Sequence, residues 1–362
     1  MSACANKMSQ DERATAALRE LYEGMGYRKF KMSKFEEYEL YLDNKSFLPS
    51  GSIVTFTGRS GKLMALKPDI TLSILKNVRS GTELPRKLYY TENVYRASHH
   101  IGDIRELMQV GLEYVGDVDL YAKCEVISLA CQSLAALAPG YVLDISHMGL
   151  VTGLLSAACL PEDIQKQALV CIGSKNGHEL RRLLAGSGLD AEQIARLTAL
   201  ATLSGPFEQI LPQARALACE AASSDAVDEL ERLYNILSHV TDVSRLRLDF
   251  SIVNDMSYYN GLIFRGYIPG VPEGILSGGQ YDHLARRLSQ APGAIGFAVY
   301  LDLLDLIAEP DPEYDVDFLI LCPGDDKALE ALQRSARLRE AGLSVRVQKT
   351  PGRIRARETI TL

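Results

Sequence analysis

The sequence predicts an α+β fold: a mostly antiparallel sheet with flanking helices, a helical insertion at about residues 150–245, and a small C-terminal β-α-β unit. Three observations predict it. Strand-like runs lie on both sides of a long stretch rich in Ala and Leu and poor in β-branched residues. Helix stops recur inside that stretch, at "LLAGSGLD", "TLSGPF" and "EAASSDA". A proline-marked linker, "EPDPEYD", then precedes a last strand–helix–strand pattern. The expected domains are 1–310, holding the insertion, and 311–362. Three sequential domains are the alternative arrangement.

The elements follow in order. Ser9 and Glu12 form a capping-box pattern ahead of "RATAALRELYEGMGY", where Ala14, Leu18, Leu21 and Met25 share one helical face. Gly24 and Gly26 supply the stop. "SIVTFTGRSGKLMALKP" reads as two strands around a turn at Gly58–Gly61. Pro68 ends the second, and "DITLSILKNV" restarts as a helix with Asp69 near its first turn. "RKLYYTENVYR" and "RELMQVGLEYVG" are two further strands joined by the polar loop "ASHHIGD". "DVDLYAKCEVISLACQSLAAL" carries Leu120, Cys124, Ile127, Cys131 and Leu134 at helical spacing, with Asp117 or Asp119 as its cap. After the insertion, strand character returns in "RLRLDFSIV", "GLIFRGYI" and "EGILSGG". The C-terminal unit reads as the strand "VDFLILC", a helix ending at Gly342, and the strand "LSVRVQ".

Composition narrows the function. The chain has 362 residues, 47% of them hydrophobic, which is enough for a large core. A net charge of -7 argues against broad nucleic-acid binding. The seven cysteines are widely spaced, odd in number and without a C-x-x-C, so they give no zinc signature and suit a reducing cytoplasm. No signal peptide opens the chain, and no apolar run suggests a membrane helix. The expectation is a cytoplasmic protein with no metal and no cofactor.

Individual polar residues each have a plain reading. Arg96 ends an apolar strand, where it is either a surface arginine or a fork for a carboxylate or phosphate. Gln109 and Glu113 lie four apart on the next strand and so face one side, either solvent or a site. Asp69 and Thr71 suit a helix start as well as a ligand ammonium. Tyr258 and Tyr259 in "SYYNG" suit strand packing beside an Asn260-Gly261 turn. His99 and His100 read as solvated loop residues.

The order of these segments is more specific than any one of them. "LMALKPDIT", "RKLYYTENVYR" and "RELMQVGLEYVG" resemble motif 2 and its surroundings in class II aminoacyl-tRNA synthetases. "SYYNGLIFRGY", "GGQYDHL" and "GFAVYLDLL" resemble later segments of the histidyl-tRNA synthetase branch. The similarity runs over roughly residues 8–308 and includes a helical insertion. It implies a class II aminoacyl-tRNA synthetase-like fold with a histidine-binding pocket. Asp69, Thr71 and Gln109 would surround the α-ammonium. Glu113 and Tyr259, with Tyr258 beside it, would meet the imidazole, Tyr281 would line the pocket, and Arg96 would approach the carboxylate.

The departures are ordered too. Motif 2 reads Tyr95-Arg96-Ala97-Ser98 and lacks its acid. Asn254 stands where the family carries an activating arginine, and Ser257 replaces an Asp. Leu303 replaces the ATP-clamping arginine, Gln280 replaces another, Tyr300 replaces a small glycine, and Ser33 replaces the motif 1 proline. Adenylation depends on such cations, and losing one electrostatic stabiliser costs on the order of 10²–10³ in rate. No catalytic residues are therefore expected. Synthetase-like regulatory subunits of ATP phosphoribosyltransferase show the same pattern. That resemblance implies a homodimer within a hetero-oligomer, a short-form ATP phosphoribosyltransferase catalytic subunit as partner, and L-histidine as ligand. The alternatives are a divergent histidyl-tRNA synthetase, or a sensor of another amino acid or of tRNA.

Overall fold

A computed structural model describes residues 9–44, 53–78, 83–97, 104–253, 259–307 and 313–362. Contacts divide the chain into a larger compact unit, Ala14–Leu306, and a smaller one that holds Ile307–Leu362.

A nine-stranded mixed sheet organises the larger unit. Across the sheet its strands are Arg28–Lys29, Arg86–Ala97, Ile104–Gly116, Gly293–Tyr300, Leu276–Gln280, Leu262–Tyr267, Val142–His147, Leu246–Asp249 and Ser204–Pro206. The five strands from Arg86–Ala97 to Leu262–Tyr267, and the step on to Val142–His147, pair antiparallel. Parallel pairs occur where Arg28–Lys29 meets Arg86–Ala97 and where Val142–His147 meets Leu246–Asp249. The central strands carry apolar residues such as Val110, Leu112 and Phe297 on one face and buried polar residues, Gln109 and Glu113, on the other.

Local chemistry places the helices. Glu12 accepts from the Ser9 N–H at 3.0 Å, closing half of the expected capping box. The buried face of helix Gln10–Gly24 is Ala14, Leu18 and Tyr22, whereas Met25 lies outside the helix and is exposed. The aromatic ring displaces Met25 because it reaches the sheet: Tyr22 packs edge-on to Phe297 and donates to or accepts from Ser133 at 3.0 Å. Asp119 caps helix Leu120–Leu137 by accepting from the Ala122 N–H at 2.8 Å. That helix is long and apolar enough to cross a membrane by length and composition, which the sequence reading did not find. Most of it is buried inside the protein, against the sheet and helix Ala221–Leu237.

The inserted stretch folds as six helices, from Met148–Ala157 to Ala221–Leu237. It also sends one short strand, Ser204–Pro206, back to the sheet. The expected hairpin, Thr55–Thr57 with Leu63–Leu66, forms around Gly61, whose φ of +77° favours glycine. A third strand, Phe35–Glu37, joins it. In the smaller unit, strands Val316–Leu321 and Val345–Gln348 pair parallel across helix Ala328–Glu340, as a β-α-β unit requires. A third parallel strand, Ala356–Thr361, flanks the first. Its alternating "ARETIT" had no apolar run to announce it.

Candidate functional site

Glu113 is the centre of the polar pocket. It lies mid-sheet on Ile104–Gly116 and is 2% exposed. Its Oε1 accepts from Thr71 Oγ1 at 2.8 Å, and its Oε2 accepts from the Tyr281 hydroxyl. Burial pushes its pKa up to about 8. The two hydroxyl donors work against that rise and the nearby Asp69 charge adds to it. Burial therefore favours the protonated form of the carboxyl.

Glycine makes room for it. Gly296 pairs directly with Glu113 across the sheet, and a Cβ there would overlap the Glu113 carboxylate. Gly279, next in the same row, faces the Tyr259 ring, which an added Cβ would approach to 2.6 Å. Gly111 likewise clears the Tyr90 hydroxyl. Gly296, Gly279, Gly111 and Tyr90 belong to the pocket although sequence reasoning gave them no role. A glycine inside a strand is the signal that would have found the three glycines.

Asp69 and Thr71 are held by the turn before helix Thr71–Asn77. Asp69 Oδ1 accepts from the Leu72 N–H at 2.9 Å, so it does cap this helix. It is half-buried, and the loss of solvent raises its pKa, while the Leu72 N–H and the Arg96 charge oppose that rise. The turn is pinned from behind: Lys67, 1% exposed at its side chain, pairs with Glu92 at 2.6 Å, and the Lys67 carbonyl accepts from the Tyr95 N–H. Glu92 lies opposite Gln109, and Gln109 opposite Tyr300, so all three share a row.

Arg96 stands farther along the hairpin. It pairs in register with Arg105, and its buried Nε has no hydrogen-bond partner. Like charges directly opposite are unfavourable, and an orphan guanidinium N–H costs more when buried. Arg96 still acts on Asp69 and Tyr300 through its charge. Tyr281 is buried at the start of helix Asp282–Ser289. Below it, Asp282 accepts from Gln280 Nε2 at 2.7 Å, Asn260 Nδ2 at 3.0 Å and the Ala294 N–H at 3.2 Å. Gln280 is thus part of a hydrogen-bonded knot around the Asp282 carboxylate, next in sequence to Tyr281.

The structure brings Asp69, Thr71, Glu113 and Tyr281 together, with Gln109 and Arg96 along the same face and Tyr259 beside Gly279. Tyr258, Asn254, Ser257, His99 and His100 lie outside the described residues. Among the described residues, no group of three His, Cys, Asp or Glu is placed to hold a metal ion.

This arrangement, a mixed sheet with an acid pocket bounded by a two-stranded loop and a glycine strand, defines a class II synthetase-type domain. The histidyl-tRNA synthetase family pattern matches residues 4–304. An ATP phosphoribosyltransferase regulatory subunit from Symbiobacterium thermophilum is 30% identical over 348 residues, 92% of this chain and 86% of that protein. A crystal structure of an ATP phosphoribosyltransferase regulatory subunit/histidyl-tRNA synthetase from Bacillus halodurans superposes with a TM-score of 0.83 at 25% identity, over 97% of this chain and 93% of that one. A chain of the ATP phosphoribosyl transferase (HisG:HisZ) complex from Thermotoga maritima shares the fold with a TM-score of 0.64 at 21% identity, over 80% of this chain and 97% of that one. The chain belongs to the histidyl-tRNA synthetase family and, within it, to the ATP phosphoribosyltransferase regulatory subunits.

Proposed function

We propose that this chain binds L-histidine in the Glu113 pocket and, through that binding, controls a short-form ATP phosphoribosyltransferase catalytic subunit in a cytoplasmic hetero-oligomer built on homodimers. It performs no aminoacylation. The observation that carries the reading is Glu113: a buried carboxyl with two hydroxyl partners, a pKa near 8, and a glycine row opposite it.

An imidazole is the ligand such a group favours. Free imidazole titrates near pH ~6.5. Between there and the Glu113 value of about 8, the Glu113 carboxyl holds one proton and the neutral imidazole none. On binding, that proton is shared between ring and carboxyl, so the pair forms with no net proton exchange. Asp69 and Gln109 then take the α-ammonium, and Arg96 gives the carboxylate the partner its orphan N–H lacks. The cations an adenylate would need are missing at Leu303 and Gln280.

Control follows from linkage. Histidine must bind one quaternary state better than another, and the same coupling energy then shifts the catalytic partner. Support for the partner comes from the relatives, whose name is regulatory subunit, and from the Thermotoga maritima complex that shares the fold. The deciding experiment is co-purification with a short-form catalytic subunit, followed by phosphoribosyl-transfer assays with and without this chain and with added histidine. Complex formation, activation and histidine inhibition are expected. The absence of a complex, or histidine-dependent ATP–pyrophosphate exchange by this chain alone, would overturn the reading.

A further inference from the structure

One corner of the helical insertion grips the chain just ahead of the pocket. Helix Glu162–Gly173 turns into helix Gly177–Ala185 through Lys175, whose φ is +56°. The Lys175 N–H donates to the Ile172 carbonyl and the Asn176 N–H to the Cys171 carbonyl, both at 2.9 Å. This is the Schellman ending of a helix, and its left-handed position ordinarily falls to glycine. A lysine there carries backbone strain that glycine would not. Its side chain supplies the reason: Lys175 Nζ lies 2.7 Å from Oδ2 of the buried Asp249. We propose that Lys175 and Asp249 are positioning residues for the histidine pocket, through which the insertion holds Tyr259 and so sets histidine affinity. The inference rests on the histidine reading above and names the part of the molecule that tunes it.

Asp249 fixes the turn that follows strand Leu246–Asp249. Its other oxygen, Oδ1, accepts from the Ser251 N–H at 2.9 Å and from Ser251 Oγ at 2.6 Å. The insertion meets the same turn twice more. The Phe250 N–H donates to the Leu203 carbonyl at 3.2 Å, and a Cβ added at Gly173 would come to 3.2 Å from Val253 Cγ2. Val253 and Ile252 then pack in an apolar cluster with Met148 and Ile263, and Tyr259 joins that cluster. Tyr259 in turn faces Gly279, in the row of Glu113. Close-packed side chains therefore pass a shift of the corner on to Tyr259. None of this path uses the Glu113, Thr71 or Tyr281 hydrogen bonds.

The ion pair is the releasable link. The Lys175 side chain is half exposed, whereas that of Asp249 is buried. Asp144, on the neighbouring strand, is a second carboxylate within charge reach of Asp249. Without Lys175, Asp249 is left buried beside a like charge, and the turn it holds must move for the carboxylate to reach water. Linkage runs both ways. Histidine that seats Tyr259 tightens the turn, and the tightened turn holds histidine better.

Calorimetry with L-histidine on the full chain tests this with three variants. Lys175→Met should weaken histidine binding about tenfold, the scale on which packed networks couple sites. Lys175→Arg keeps the charge and should bind close to the parent chain. Lys175→Gly separates positioning from stability, because it removes the charge and the backbone strain together. It should unfold at a higher temperature than Lys175→Met, yet lose as much histidine affinity. Hydrogen exchange at the Ser251 amide should slow when the parent chain is saturated with histidine, and should not slow in Lys175→Met. The proposal is overturned if histidine affinity across the three variants merely follows their thermal stability, or if Ser251 exchange in the parent chain ignores histidine. Parent binding that is unchanged in Lys175→Met overturns this proposal alone. A parent chain that does not bind histidine overturns the pocket reading with it.

Discussion

Two glutamates of the larger unit, Glu113 buried and Glu229 half-buried, make an instructive pair. Glu113 sits among hydroxyls, and burial carries its pKa up to about 8. Burial acts on Glu229 in the same direction, yet its pKa falls to about 2, because His147 and Lys123 outweigh it. Lys123 Nζ lies 2.6 Å from Glu229 Oε2, and His147 Nε2 lies 3.3 Å from Oε1. Burial alone therefore does not set the charge of a carboxyl here; the partner does. Glu229 has an imidazole supplied by its own chain. Glu113 lacks one, and an incoming histidine would complete for it what His147 completes for Glu229.

Removing each acid should break this comparison in opposite ways. Glu113→Ala should weaken L-histidine binding about a hundredfold or more by calorimetry, while the proposed dimer is left intact. A panel of amino acids titrated alongside must favour histidine; a preference for another would sink the assignment. Glu229→Gln should leave histidine affinity alone but cost about 3 kcal/mol in denaturant unfolding, because His147 and Lys123 lose their buried counter-charge. The pH dependences also differ in sign. The Glu229 contribution is complete above its unfolded value of 4.5 and is lost as pH falls towards 2. The Glu113 contribution is complete below 4.5 and is lost as pH rises through about 8.

Smaller changes sharpen the contrast. Gly296→Ala should cost roughly 1–3 kcal/mol by overpacking, and should lower histidine affinity because the new methyl displaces the Glu113 carboxylate. Histidine affinity in the parent chain should be flat between pH ~6.5 and about 8, falling on both sides. Calorimetry in buffers of different ionisation enthalpy should find no net proton exchange inside that window. Tyr281→Phe should have the least effect, under about tenfold. It should move the upper edge of the plateau to higher pH, since the Tyr281 hydrogen bond lowers the Glu113 pKa.

Much of this was legible before any coordinates. The order of strands and helices gave the fold class, because each element carries its own period and stops. Asp69, Thr71, Glu113 and Tyr281 were named through their motif order, and they do meet. The Gly296 contact was not legible, since it depends on a cross-strand register linking residues far apart in sequence. Nor was the Asn260–Gln280–Asp282 knot, whose members look like ordinary turn residues one at a time. Tyr22 was hidden behind Met25 because helical spacing identifies a face and not how far a ring reaches. Strands Phe35–Glu37 and Ala356–Thr361 are too polar to stand out from loops.

The strand Ser204–Pro206 has a further consequence. It ends the sheet with three residues, one of them a proline that cannot donate to another strand. The helical insertion thus stoppers the sheet it interrupts. Excising it would strip the cover from Leu246–Asp249, whose Leu246 and Leu248 are buried, and leave an open apolar edge. Trimmed chains of that kind should form aggregates instead of smaller regulators, so the insertion cannot be lost without its host.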